Sequence, residues 1–115
     1  VYKRQILGPK EKEMRLSIQK TAGNFKIFES NDPLKTITFS KNCFFGLSND
    51  TGCGHLISAS GIPTLTIFGP TDAEKFLPIG NEKNAALSSQ LNYKDKNINK
   101  ITPVEVIEKI SKWLT

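Results

Sequence analysis

The sequence predicts an α/β domain built on a parallel sheet flanked by helices, and three observations carry that prediction. Short β-prone segments alternate with helix-prone ones along the chain. The connections between them are mostly short. The segment "PTLTIFG" also lacks the in–out alternation of a half-exposed strand, as expected of a strand covered on both faces. At 115 residues the chain suffices for one domain with a hydrophobic core, and not for two.

Each element follows from its residues. "RQILG" reads as a strand ending in a turn at Gly8. "PKEKEMRLSIQKTAGN" reads as a helix: Pro9 suits the first turn, Glu11 sits early, Met14, Ile18 and Ala22 share a face, and Gly23-Asn24 stops it. "FKIFE", from Phe25 to Glu29, is a second strand. In "SNDPLKTITFSKN", Ser30 or Asp32 can cap a helix that begins at Pro33, whereas Thr36, Ile37, Thr38 and Phe39 prefer strands. A helix is the expectation.

"CFFGLS" is expected to be a buried strand, and "TGCGHLISASG" a short helix of small residues closed by Gly61. After the strand "PTLTIFG" come a short helix in "TDAEKFL", a weak strand in "NAALSSQ" and a polar loop in "NYKDKNINK". The last element has the clearest signals. In "TPVEVIEKISKWLT", Thr102 is the N-cap, Pro103 takes the first position and Glu105 completes a capping box. Val106, Ile110, Trp113 and Leu114 give this helix its apolar face. There is no internal repeat and no low-complexity linker.

Composition narrows the function classes. With 37% apolar and 23% charged residues and no apolar run of membrane-spanning length, the chain reads as a soluble globular protein. Its net charge of +5 suggests an anionic partner, yet the lysines are scattered and no aromatics interleave with them. That pattern describes a solvated surface rather than a nucleic-acid face. Cys43 and Cys53 lack metal-ligand spacing and have only His55 to join them, so no metal is expected. "VYKRQILG" is too short an apolar stretch for a signal peptide, which points to a cytoplasmic protein with free thiols. The chain starts at Val1 and enters a strand almost at once, so a fragment of a longer protein is expected.

The chemistry concentrates in "NDTGCGH", residues 49–55, between a predicted strand and the helix that follows. In open parallel sheets ligands bind beyond the carboxyl ends of the strands. The first helical turn leaves N–H groups without intrahelical partners, and the helix dipole adds positive character there. Small residues at Thr51, Gly52 and Gly54 let a phosphate approach those groups closely. A phosphate or pyrophosphate ligand follows. Asp50 would repel a phosphate and is better suited to accept hydrogen bonds from neighbouring sugar hydroxyls. Plainer roles stand beside these. Asn49 or Asp50 can serve as an N-cap, Gly52 and Gly54 can serve a tight turn or helix–sheet packing, and His55 can be a surface residue. If His55 acts, the helix N-terminus favours its neutral imidazole.

The order of the pieces adds a resemblance. Asn49-Asp50-Thr51-Gly52, His55, Gly61-Ile62-Pro63-Thr64, Phe68-Gly69-Pro70-Thr71-Asp72, Lys75 and Pro78-Ile79-Gly80 follow one another as in glycosyltransferase family 9, the ADP-heptose:lipopolysaccharide heptosyltransferases. "LGPKEKEM" and "ITPVEVIEKI" resemble that family's strand-Gly-x-x-Glu segment and its terminal helix. The likeness touches nearly all of the chain, although only residues 49–80 are specific. Departures are Cys53-Gly54 in place of Pro-Met, a polar Ser58-Ala59-Ser60, and the lack of a cysteine-containing segment before the last helix.

The resemblance implies the C-terminal, Rossmann-like half of a two-domain GT-B enzyme, with the acceptor and the catalytic base in the other half. Carried over by position, Thr51 and Gly52 contact the diphosphate of an ADP-sugar through backbone N–H groups. Asp50 holds donor-sugar hydroxyls and His55 flanks the phosphates. Asn49, Cys53 and Gly54 complete the donor loop. Glu11 is a candidate for the ribose hydroxyls, and Lys75 for charge near the leaving diphosphate. The implied reaction is inverting transfer without metal or other cofactor. The implied acceptor is the lipopolysaccharide core, and the implied place is the cytoplasm, at the inner face of the bacterial inner membrane, with peripheral association of the full enzyme. This half alone should not turn over. Another sugar nucleotide, a free-standing nucleotide- or phosphate-binding module, and a sugar-nucleotide epimerase of similar architecture stay open beside it.

Overall fold

A computed structural model describes residues 3–7, 25–29 and 32–114. The helix expected over residues 9–24 lies outside the described residues, and so do Glu11 and the side chains of Trp113 and Leu114. Strands β1 (Lys3–Leu7) and β2 (Phe25–Glu29) pair in parallel, Lys3 opposite Phe25 and Leu7 opposite Glu29. Both match the strands read from the sequence.

Helix α1 (Pro33–Ser40) settles the contest between cap and propensity. The Leu34 N–H donates to the Asp32 carboxylate at 3.0 Å, and Pro33 opens the helix. Hydroxyl side chains of the helix satisfy themselves on its own carbonyls. Thr38 Oγ1 donates to the Leu34 carbonyl at 2.9 Å and Ser40 Oγ to that of Thr36 at 2.8 Å. The Phe39 ring then stacks on Phe28 of β2, with centroids 4.3 Å apart.

The rest of the chain alternates strictly. It runs through β3 (Gly46–Asn49), α2 (Gly52–Ala59), β4 (Thr64–Phe68), α3 (Ala73–Phe76), β5 (Ala85–Ser88) and α4 (Ser89–Tyr93). A 3-10 turn (Ile98–Lys100) and helix α5 (Pro103–Leu114) complete it. Strands β3, β4 and β5 form one parallel sheet in that order, Asn49 opposite Ile67 and Ile67 opposite Leu87. Helices flank this sheet, giving the α/β, Rossmann-like arrangement expected. Among the described residues no ladder joins β1 or β2 to β3.

Strand β4 is central and covered on both faces, with Thr64, Leu65, Thr66 and Phe68 no more than 1% exposed. On one face Leu65 clusters with Leu87 and Ile101, and Val106 and Ile110 of α5 pack against them. On the other face α2 lies close. A Cβ on Gly46 would collide with Ile57 Cγ2, so glycine is what lets that helix approach β3. The predicted capping box of α5 is present: Glu105 N–H donates to Thr102 Oγ1 at 3.3 Å, and Thr102 N–H to the Glu105 carboxylate at 3.4 Å.

Two expectations are corrected. "CFFGLS" is not a buried strand throughout, because pairing begins only at Gly46. Phe44 is 86% exposed and Leu47 45% exposed, since β3 is the outer strand of this three-stranded ladder. The strand in "NAALSSQ" ends at Ser88, whose hydroxyl accepts from Leu91 N–H at 3.3 Å and starts α4. The expected polar loop thus yields part of a helix, a left-handed Lys94 (φ 53°) that ends it, and a 3-10 turn capped by Asn97. No helix among the described residues is long and apolar enough to cross a membrane.

Asn84 ties these layers together. Its side-chain carbonyl accepts from Thr64 N–H at 2.9 Å, while its amide donates to Ser58 Oγ at 2.7 Å and to the Pro78 carbonyl at 3.0 Å. One side chain thereby joins β4, α2 and the segment before β5. Asn84→Ala leaves the Thr64 N–H unpaired at the start of the central strand. It should lower stability by about 1–3 kcal/mol, read as a lower urea midpoint with an unchanged denaturant slope.

Candidate functional site

A parallel sheet delivers all its carboxyl ends to one edge, and residues 49–55 stand there. Asp50 N–H extends the ladder by donating to the Ile67 carbonyl at 3.2 Å, so the Asp50 loop starts beside the end of β4. Thr51 then takes extended backbone angles, φ −143° and ψ 164°, and its Oγ1 accepts from Gly54 N–H at 3.4 Å. Thr51 is therefore the N-cap of α2, not Asn49 or Asp50 as the sequence suggested. Ser48, unremarked in the sequence, sits behind it. Ser48 Oγ donates to the Asn49 carbonyl at 2.7 Å and lies 3.3 Å from Thr51 Oγ1. With Thr51 serving as the cap, Asp50 is left to explain in other terms.

The Asp50 side chain is 17% exposed and lies 4.0 Å from Nε2 of His55, whose side chain is 50% exposed. His55 stands in the first turn of α2, its N–H donating to the Thr51 carbonyl at 3.4 Å. Thr51 and Gly52 are exposed, Asn49 at the end of β3 is exposed, and Cys53 is half-buried. The loop thus offers solvent a helix N-terminus flanked by a carboxylate and an imidazole. Such a site can hold an anion beside a group that donates hydrogen bonds.

The two glycines separate cleanly. A Cβ on Gly54 would lie 2.7 Å from Ser48 Oγ and 3.2 Å from the Asn49 carbonyl, so packing of α2 on β3 accounts for that residue. A Cβ on Gly52 would meet nothing within 4 Å among the described residues. Gly52 has no packing reason to be glycine, and the space around it opens outward from the helix end.

A second loop, Gly69 to Asp72, leaves β4 at the same edge. Gln90 of α4 holds it, donating from Nε2 to the carbonyls of Gly69 at 2.8 Å and Thr71 at 3.3 Å. Nothing in the residue pattern around Gln90 signals that role. Asp72 caps α3 by accepting from Glu74 N–H at 3.0 Å. A cleft of about 240 Å³ lies between this loop and α4, lined by Pro70, Thr71, Asp72, Gln90, Leu91 and Lys96 among others. Lys75, on α3, is exposed, with Nζ 5.5 Å from the centroid of the Phe76 ring. No group of three or more His, Cys, Asp or Glu among the described residues could hold a metal ion.

The contrast between the glycines is testable. Gly54→Ala should destabilise, because the collision with β3, about 1–3 kcal/mol, outweighs the helix-propensity gain of alanine, about 1 kcal/mol. Gly52→Ala should be neutral or stabilising by up to about 1 kcal/mol. Thermal unfolding of the two variants side by side checks the pair.

With this geometry in place, comparison with known proteins adds one finding. A model of glycosyltransferase family 9 (heptosyltransferase) matches residues 35–104. No curated protein and no solved structure matches the chain. The matched span runs from α1 to the start of α5, takes in both loops of the carboxyl edge and covers well over half of the sequence. The chain belongs to glycosyltransferase family 9 (heptosyltransferase).

Proposed function

We propose that the chain is the donor-binding, C-terminal half of an inverting glycosyltransferase that takes ADP-heptose or a similar nucleotide sugar and builds the lipopolysaccharide core. The observation that carries this reading is the exposed start of α2, where Gly52 stands in open space between the Thr51 cap and the Asp50–His55 pair. In it, the diphosphate meets the N–H groups of Thr51 and Gly52, and Asp50 accepts from donor-sugar hydroxyls.

The chemistry assigned to this half is leaving-group stabilisation. An acceptor hydroxyl attacks the anomeric carbon from the face opposite the diphosphate. The carbon–oxygen bond to the diphosphate breaks, and the nucleoside diphosphate departs with the electron pair. The acceptor's proton goes to a base in the other half. Fixed N–H groups and the helix end oppose the charge that develops on the leaving oxygen, which is the kind of term that lowers such barriers most. On this reading the chain alone binds the donor without turnover, needs no metal, and works in the cytoplasm with the membrane surface supplying the acceptor. Apolar side chains such as Phe44 and Ile79, 86% and 97% exposed, weigh against a free-standing module with a wholly polar surface.

An NMR titration of the labelled chain with ADP, ADP-heptose, UDP and GDP tests the proposal. Shifts should cluster on residues 49–55 and be strongest for the adenine nucleotides. Asp50→Ala should weaken ADP-heptose by about tenfold to a hundredfold, as expected for losing a hydrogen bond to a charged group, while sparing ADP. A stronger response to UDP or GDP at the same loop would overturn the ADP assignment and retain the reaction class. Absence of any shift would overturn the donor-site reading.

A further inference from the structure

We infer that β3 is an inner strand of a larger sheet, and that its open edge receives a parallel strand from the polypeptide before Val1, which joins β3 to β1. The inference rests on the part of the reading above that makes this chain the C-terminal half of a longer polypeptide, and not on the identity of the donor. β1 and β2 form one parallel ladder and β3, β4 and β5 another. No ladder joins β1 to β3, although both strands are among the described residues. Each ladder adds its strands in chain order. In a doubly wound sheet the strand that comes first in the chain lies in the middle, and later strands are added to one side of it and then to the other. The two ladders have the form of those two wings. The place between β1 and β3 is then that of a strand preceding β1.

The edge of β3 has what such a strand needs. Gly46 N–H donates to the Pro63 carbonyl at 2.8 Å and Asp50 N–H to that of Ile67 at 3.2 Å. Leu47 and Asn49, one step out of phase, therefore turn their backbone groups away from β4. The Asn49 carbonyl accepts from Ser48 Oγ at 2.7 Å, which leaves both backbone groups of Leu47 and the N–H of Asn49 open among the described residues. Edge strands are ordinarily guarded by a charge, a proline or a bulge. β3 carries neither charge nor proline, and its register with β4 is unbroken. Instead it presents Leu47, 45% exposed, directly opposite the fully buried Leu65. On the opposite face a cover already spans the wings. Phe39 of α1 stacks on Phe28 of β2, and α1 packs against α2, which lies over β3.

These features define the occupant. Open backbone groups call for an extended segment, and Leu47 calls for apolar side chains along it. A parallel strand that continues into β1 needs a crossover of about a dozen residues or more, usually a helix. Since a βαβ unit takes about 30 residues or more, the strand belongs within roughly 40 residues upstream of Val1. A second copy of the chain, pairing edge to edge through β3, would satisfy the same backbone groups and leave β1 and β3 unjoined.

The experiment compares amide hydrogen exchange in this chain and in the same polypeptide lengthened by its natural upstream sequence through that strand. Leu47 and Asn49 should slow by about tenfold or more relative to Gly46 and Asp50, as expected for amides that gain a partner in a sheet. Leu47→Pro should be tolerated in the present chain, because proline suits an edge strand whose N–H faces water. In the longer polypeptide it should abolish the slowing at Asn49. Leu47→Lys, which keeps the N–H and places a charge on the edge, makes the same comparison if the proline variant does not fold. Unchanged exchange at Leu47 and Asn49 in the longer polypeptide would overturn the inference, as would an upstream sequence with no β-prone segment followed by a helix. Slowing that appears in the present chain as its concentration rises would assign the edge to a second copy and overturn it too. Titration of the longer polypeptide with ADP-heptose keeps the two readings apart. Slowed exchange without binding at residues 49–55 removes the donor site and leaves the strand, and binding without slowed exchange does the reverse.

Discussion

The parallel pairing of β4 with β3 on one side and β5 on the other determines where chemistry can occur in this chain. Parallel neighbours run the same way, so Asn49, Phe68 and Ser88 end at one edge, and each is followed within a few residues by the start of a helix. The covering of β4 keeps that edge in register. Leu65 packs towards Leu87, Ile101 and α5, while α2 lies over the opposite face. Loops that are themselves exposed thus inherit fixed starting points, which is how a mobile kind of segment comes to hold a defined geometry.

Legibility in the sequence tracked how local the deciding interaction was. The capping box of α5 and the Asp32 cap of α1 are satisfied within three residues; the first could be read from the residue types alone, and the second was one of two candidates beside Ser30. β4 was legible because burial on both faces leaves an uninterrupted β-prone run. What could not be read depended on contacts between distant residues. Phe44 is apolar yet exposed because pairing starts after it. Gln90 sits in a stretch that reads as the end of a strand, and its partners are Gly69 and Thr71. In the loop of residues 49–55 the sequence left three possible roles for the glycines and two candidate caps. The choice among them turned on Ser48, whose hydroxyl lies behind Thr51 and under Gly54.

Contacts between distant residues also account for the small and polar residues on the packed side of α2. Ser58 is polar and only 1% exposed, which on its own would be destabilising. Its hydroxyl, however, accepts from Asn84 at 2.7 Å, and Asn84 in turn satisfies Thr64 N–H and the Pro78 carbonyl. Ser58 therefore belongs with Asn84 as one bonded unit that fastens α2 to the amino end of β4. Gly54 answers to Ser48 in the same way, because a side chain there would strike β3. Gly54 and Ser58 both belong to the side of α2 that meets the sheet. Thr51, Gly52 and His55, by contrast, are exposed at its first turn. Packing and bonded partners fix the back of this helix, whereas its first turn stands open to solvent.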